Sequence, residues 1–274
     1  MLILPKLIKL YQDRGFSVST GLNPNHFDGL ELAPFTWLIR DGESYTNGLG
    51  IAMQEIYFLE CLLAEVAPER IFVIGNSFGW STLALALACP AAKVLAIDSG
   101  HDERSQEGVA LTNRIAQEEG LSVAVVLARS PVDVAGVVGE HLEGGFDFSF
   151  VDGLHTNEQI VLDYQAVAAC GGADAVHLFH DVHSWRMQDG FGKICDKWPG
   201  RGRILLGTTS GMGVLYPESR AGTLEPVLDA FTASEAALGV INRELDNRRH
   251  KRWRKTVRSL AKRKATLKRL FGQG

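Results

Sequence analysis

The chain has 274 residues, 46% of them apolar and 22% charged, which suits one α/β domain with additions. No apolar run reaches the roughly 20 residues of a membrane-spanning helix. The start, Met1 to Leu10, is broken by Pro5 and lysines and lacks a clear cleavage site, so no signal peptide is expected. Cys61, Cys89, Cys170 and Cys195 show no C-x-x-C spacing and lie in apolar contexts. Buried free thiols and a cytoplasmic location follow as expectations, and a disulfide scaffold is excluded. The net charge of −4 conceals an asymmetry: residues 243–274 carry 13 Lys or Arg against 2 acids, and the remainder carries 15 against 30.

Residues 1–50 carry Gly, Pro and Asn at short intervals and read as a largely irregular segment. The stretch from Gly50 to Ala67 reads as a helix stopped by Pro68. Ile71 to Ile74 is a short β-branched and aromatic run, followed by Gly75-Asn-Ser-Phe-Gly79 and then an apolar helix on which Ser81 and Thr82 are candidate caps. A second apolar strand, Val94 to Ile97, ends on Asp98. A glycine loop after one strand, with an acid at the tip of the next, is how an open α/β sheet holds a nucleoside: backbone approaches the ligand and the carboxylate accepts from ribose hydroxyls.

Further strands are predicted near 121–127, 146–151 and 174–180, with helices such as Gln106–Glu119 and Asn157–Ala169 between them. Residues 204–209 and 212–217 read as an antiparallel hairpin joined by a Ser-Gly turn. The predicted fold is therefore α/β and doubly wound, Rossmann-like, with a seven-stranded sheet that is mostly parallel and ends in an antiparallel hairpin. The predicted organisation is 1–50 irregular, 51–217 the α/β domain, and 218–274 a helical extension. In that extension Trp253, Val257, Leu260, Leu267 and Phe271 recur mostly three or four apart among Lys and Arg, which is a basic amphipathic helix. Its candidate counterparts are the acidic body of this or a second subunit, which is favoured, then an anionic membrane surface, then nucleic acid. Nucleic acid ranks last because no aromatic-rich recognition motif accompanies the charge.

Gly75-Asn-Ser-Phe-Gly79 also fits G-x-S-x-G, the nucleophile elbow of α/β-hydrolases, with Ser77 as nucleophile. Both readings demand strand, turn and helix at this point. Element order separates them: hydrolases place several strands before the elbow, and no convincing oxyanion loop or late histidine is present here. The dinucleotide fingerprint G-x-G-x-x-G fails, since Ser77 stands at its second glycine.

The segments VIGNSFGWSTLALA, VLAIDSG, FDFSFVDGLHTNE, the Gly171-Gly172 pair before AVHLFHDVHSW, and GMGVLYP together resemble class I S-adenosylmethionine-dependent methyltransferases. The subgroup they are most similar to contains small-molecule and sugar O-methyltransferases of the macrocin and cephamycin type. The resemblance covers residues of about 50–217. It implies that Gly75, Asn76, Ser77, Gly79, Ser81, Asp98 and Asp152 bind S-adenosylmethionine, and that the acceptor is a hydroxyl of a small molecule or glycan precursor. One departure is Val73, where the family has an acid. The resemblance also implies a divalent metal held by Asp152 and by the pair His180-Asp181, with His180 standing where an acid is expected. Mg²⁺ favours oxygen ligands, so His180 argues for a softer ion or for none. His155, three residues after Asp152, is the first candidate base, and His183 the second. Subunit association is left open.

Overall fold

The structure, a computed structural model, describes residues 2–271, without the side chains of 258, 261, 262 and 264–271. Its centre is a seven-stranded sheet. The chain enters it at β4 (Arg70–Ile74), after α1 (Leu4–Gln12), β1 (Ser17–Ser19), β2 (Trp37–Arg40), β3 (Glu43–Ser44) and α2 (Met53–Val66). It then runs through α3 (Trp80–Ala88), β5 (Lys93–Asp98), α4 (Glu103–Glu119), β6 (Val123–Leu127), α5 (Val134–His141), β7 (Phe146–Val151), α6 (Asn157–Cys170) and β8 (Gly171–Phe179). The remaining elements are α7 (Gln188–Cys195), β9 (Arg201–Leu205), β10 (Met212–Tyr216), α8 (Ala221–Ala230) and α9 (Glu235–Phe271).

The strand order is β6-β5-β4-β7-β8-β10-β9, parallel from β6 to β8, with β10 antiparallel to both neighbours. From β4 the chain builds outward to β6, then crosses back to lay β7 on the other side of β4. The carboxyl ends of β4 and β7 therefore flank a topological switch point, where open α/β sheets bind ligands. The strands are apolar on both faces because helices cover both. Ile71 and Val73 enter one core with α1, α2 and α3, while Phe72 and Ile74 enter the other with α5, α6 and α7.

The predicted irregular N-terminal segment is ordered. Pro5 opens α1 rather than breaking a helix, because a first-turn residue has no intrahelical partner for its N–H. β1, β2 and β3 form a small antiparallel sheet. Tyr11 is buried, and its hydroxyl donates to the Phe78 carbonyl at 2.7 Å, tying α1 to the loop after β4.

Two other boundaries moved. The final hairpin pairs Met212 with Leu205, so β9 ends earlier than predicted and residues 206–211 form the connection. Ser210 N–H is taken by the buried Glu55 carboxylate at 2.8 Å, which bends that connection away from a tight turn. At the C-terminal side, α8 packs on α2, so the compact first unit runs to Thr232 rather than ending near 217. The helical extension predicted over 218–274 is interrupted after Ala230, and α9 starts anew behind Ser234, whose hydroxyl accepts from Ala237 N–H. Within α9, Trp253, Val257 and Leu260 are exposed. Leu267 and Phe271 of the predicted stripe lie outside the residues whose side chains are described. No described helix is long and apolar enough to cross a membrane.

Inside the sheet, His177 lies between the Phe146 and Trp198 rings, and its Nδ1 is 2.8 Å from Ser149 Oγ. Burial pushes its pKa down to about 4. The unfolded chain, with an ordinary histidine near 6.5, binds the proton first. Stability is thus complete above about pH 6.5 and falls as pH drops toward 4, by about 3 kcal/mol in all. Denaturant titrations at pH 7 and pH 4.5 should show this loss, and His177→Leu should abolish its share of it.

Candidate functional site

The loop after β4 is built for close backbone contact. Gly75 has φ +92°, and a Cβ there would lie 1.9 Å from the Asp152 carbonyl oxygen. Gly79 has φ +80°, and a Cβ there would lie 2.2 Å from Thr112 Oγ1. Only glycine meets both demands. Between them Asn76 is buried and acts as a clamp: its amide donates to Thr112 Oγ1 at 3.1 Å, and its Oδ1 accepts from Thr82 Oγ1 at 2.9 Å. Thr82 therefore holds the loop rather than capping a helix. Ser81 likewise sits in the first turn, because α3 starts at Trp80 with Gly79 as its N-cap.

Asp98 ends β5 beside this loop. Its Oδ2 accepts from Asn76 N–H at 3.1 Å and Ser77 N–H at 2.8 Å, and its Oδ1 from Gly100 N–H at 3.0 Å. An ionised carboxylate offers about four acceptor positions, so capacity remains for a ligand hydroxyl. Ser77 Oγ has no hydrogen bond to a histidine or carboxylate among the described residues. The loop therefore lacks the adjacent base that a nucleophile elbow requires, which corrects the hydrolase reading.

A cavity of about 660 Å³ opens at the switch point. Gly75, Asn76, Ser77, Ser81, Asp98, Asp152 and His155 line it, whereas Gly79 does not. Sequence reasoning missed other walls. Thr46, Leu49 and Gly50, from the segment predicted irregular, form one side with Ile51, and Ser130, Gln159 and Asp163 form another. Burial raises the Asp163 carboxyl above its ordinary pKa, against bonds from Ser130 Oγ at 2.5 Å and Gln159 Nε2 at 2.8 Å. Val73 is fully buried in the core, so β4 sends no acid into the cavity.

Next to the cavity is a chain of charged groups. His155 Nε2 lies 3.1 Å from Asp152 Oδ1 and 3.6 Å from Asp181 Oδ2, with its ring 5.1 Å from that of Trp185 and tilted by 33°. His180 Nδ1 lies 3.2 Å from Asp152 Oδ1 and 3.3 Å from Asp181 Oδ2. Its Nε2 faces Glu55 Oε2 at 3.2 Å. Glu55 is fully buried, accepts from Ala52 N–H as well as Ser210 N–H, and had no place among the predicted site residues. The only sequence signal was an acid in the first turn of α2, which reads as helix capping.

Burial opposes every charge here, and the partners outweigh it. The His180 imidazole would be driven neutral by burial, but Asp152, Asp181 and Glu55 raise its pKa well above the ordinary value. His155 is raised too, burial being overcome by the bond to Asp152 and the charge of Asp181. Burial raises Asp152, yet His180 and His155 bring it well below the ordinary carboxylate range. His183 stands apart: it is exposed, is not part of the cavity wall, and pairs its Nδ1 with Gln188 Nε2 at 2.8 Å.

Asp152, His155 and Asp181 each present a ligand atom within 4.8 Å of the others. Mg²⁺ seeks an octahedron of oxygens and water, and a fully buried imidazole at His180 does not suit it. Two carboxylates and an imidazole suit an ion that accepts nitrogen, which would have to displace the imidazole's proton.

The loop yields a direct test. Gly75→Ala places a methyl group against backbone at positive φ and should cost about 2–4 kcal/mol, read as a lowered melting temperature. Gly136→Ala, in α5 with open space around its Cβ, should instead stabilise by about 0.5–1 kcal/mol.

Comparison with known proteins agrees with this geometry. Residues 72–182 match the family model described as a methyltransferase domain. No curated protein matches the chain. The solved structure of the O-methyltransferase TomG from Streptomyces achromogenes, in complex with SAM, is similar at 15% identity and a TM-score of 0.51, over 77% of this chain and 89% of that one. SAH-bound PaMTH1, a methyltransferase of Podospora anserina, is similar at 15% identity and a TM-score of 0.51, over 63% of this chain and 81% of that one. At such identity the likeness is one of fold. The match spans the glycine loop, Asp98, Asp152, His155 and Asp181. The chain carries a methyltransferase domain, and its enzyme class is methyltransferase.

Proposed function

We propose that this protein transfers the methyl group of S-adenosylmethionine to a hydroxyl of a small molecule or glycan precursor, as the macrocin and cephamycin type of O-methyltransferase does. The observation that carries this reading is the adjacency of two features at one switch point. A glycine loop with Asp98 lines the same cavity as His155 and Asp152. S-adenosylmethionine, when bound, supplies a methyl group already activated on a sulfonium.

The residues divide the remaining work. Asp98 keeps acceptor capacity for ribose hydroxyls, and the backbone of Gly75 to Ser77 offers close approach. Ser130, Gln159 and Asp163 line the cavity and offer polar groups to a base edge. A hydroxyl acceptor must lose its proton, and of the two imidazoles that line the cavity, His101 and His155, His155 is the one held by Asp152. Asp152 holds its Nε2 and Trp185 lies tilted against its ring, which fixes its direction. Any divalent metal would be held by Asp152, Asp181 and His180 and would supply Lewis acidity at the acceptor oxygen.

Calorimetry with S-adenosylmethionine and its demethylated product tests the reading. Micromolar binding is expected, and Asp98→Ala should weaken it by about 1–3 kcal/mol while the fold persists. Absence of binding would overturn the proposal. With an acceptor in hand, His155→Ala should slow transfer by about 10²–10⁴-fold without loss of cofactor affinity. A base must begin neutral, and His155 is held protonated above the usual value of about 6.5. The rate should therefore fall as pH is lowered, along a limb displaced above about 6.5, and that limb should vanish in His155→Ala.

A further inference from the structure

The acids of α9 end early and its cations do not. Glu235, Glu244 and Asp246 are its acids, and residues 247–274 hold 12 Lys or Arg and no acid. Glu244 accepts from Arg248 Nε at 3.2 Å, and Asp246 lies 3.8 Å from Arg249 Nη1. Past those two pairs, Lys251, Arg252, Arg254 and Lys255 meet no carboxylate among the described residues. Between these cations Trp253, Val257 and Leu260 follow at spacings of four and three, which puts them on one face of the helix. They are 65%, 43% and 59% exposed, and every described side chain from Ile241 to Leu260 is exposed with them. An apolar line left in water among like charges is unfavourable on both counts.

We propose that α9 lies on the surface of a bilayer rich in anionic lipids, with Trp253, Val257 and Leu260 at the headgroup boundary and the flanking Lys and Arg on lipid phosphates. A helix with an apolar line, a strongly basic remainder and low net hydrophobicity rests in the interface plane rather than crossing it. The two parts act together. Phosphates neutralise the cations, and the indole of Trp253, apolar but for one N–H, suits the boundary between headgroup and acyl chain. The long stems of lysine and arginine let their charges reach the phosphates while the helix axis stays close to the surface. This contact does not depend on the methyl-transfer reading.

Other occupants match the helix less well. A second α9 is repelled, since residues 243–274 of each copy carry 13 cations against 2 acids. The acidic body of another copy would have to present a row of free carboxylates, yet several of its acids are already paired: Glu107 with Arg40, Asp147 with Arg70 and Glu225 with Arg203. Lipid headgroups, by contrast, diffuse laterally and meet any arrangement of cations. Nucleic acid would answer the charges through its phosphates, but it offers no apolar layer for the line of Trp253, Val257 and Leu260. Residues 1–242, with 15 Lys or Arg against 30 acids, are themselves repelled by an anionic surface, so attachment falls to α9.

The test sediments the full-length protein with vesicles of phosphatidylcholine alone, or of phosphatidylcholine and phosphatidylglycerol in equal parts. The protein should go down with the anionic vesicles and stay in solution with the neutral ones. Raising salt from about 0.05 M to about 0.5 M should weaken binding by more than about tenfold. Trp253→Ala should weaken it by about tenfold, and Trp253→Phe, which keeps an apolar ring, should retain most of it. Arg254→Glu with Lys255→Glu should weaken it by more than about tenfold. The melting temperature and the calorimetric response to S-adenosylmethionine should stay unchanged in these variants, so loss of either reading leaves the other standing. No binding to anionic vesicles at low salt, equal binding to neutral ones, or binding indifferent to Trp253→Ala would each overturn the proposal. Tighter binding of duplex RNA than of anionic vesicles at the same salt would overturn it in favour of nucleic acid. A dimer lost in Trp253→Ala and unaffected by anionic vesicles would overturn it in favour of a second copy of the chain.

Discussion

A carboxylate with no access to water organises the active half of this molecule. Glu55 sits in the first turn of α2 with zero exposure, and an isolated charge in that position would be untenable. Its neighbours make it tenable. Ala52 N–H closes the start of α2, Ser210 N–H brings the 206–211 connection across, and His180 Nε2 arrives from the end of β8. Three distant pieces of chain thus meet on one charge. Their meeting sets the direction of His180, and through it the spacing of Asp152 and Asp181. Removing one partner of such a buried pair typically costs about 3–5 kcal/mol, more than most core substitutions, so the geometry of the cluster is tied to the integrity of the fold.

The second requirement is proximity of backbone to backbone. Gly75 approaches the Asp152 carbonyl so closely that no side chain fits between the ends of β4 and β7. That approach opens the cavity at the switch point and sets the glycine loop and the charged cluster on one wall. The loop is then secured from outside by Tyr11 on α1, by Thr82 on α3 and by Thr112 on α4. A cofactor meeting this loop finds it already shaped, so less ordering has to accompany binding.

Much of this was legible in the residues. Apolar strands alternating with helices imply a parallel sheet, because a strand covered on both faces must be apolar on both. The G-x-S-x-G loop and Asp98 implied a ligand at the strand ends, and Asp98 does meet that loop. Yet the motif was ambiguous, since a hydrolase elbow demands the same strand, turn and helix. Element order already favoured the ligand loop, and the structure adds that no base stands beside Ser77 among the described residues, a contact being a property of three dimensions. Glu55 was illegible for a related reason: an acid in the first helical turn is explained locally by capping, and nothing nearby in sequence announces His180 125 positions away. The N-terminal segment was misread because Pro5, Gly and Asn punctuate short elements as readily as they mark irregular chain.

What the sequence by itself determined is the layered α/β architecture, the seven strands, and the two loops that carry chemistry. These depend on periodicity and on residues adjacent along the chain. Tertiary structure alone decided which histidines face the cavity, which carboxylate stands behind His180, and that Thr46, Leu49, Gly50 and Ile51 close one side of the pocket. Those facts depend on strand order and on pairs far apart in sequence, and a burial pattern carries no record of which distant partner satisfies a buried charge.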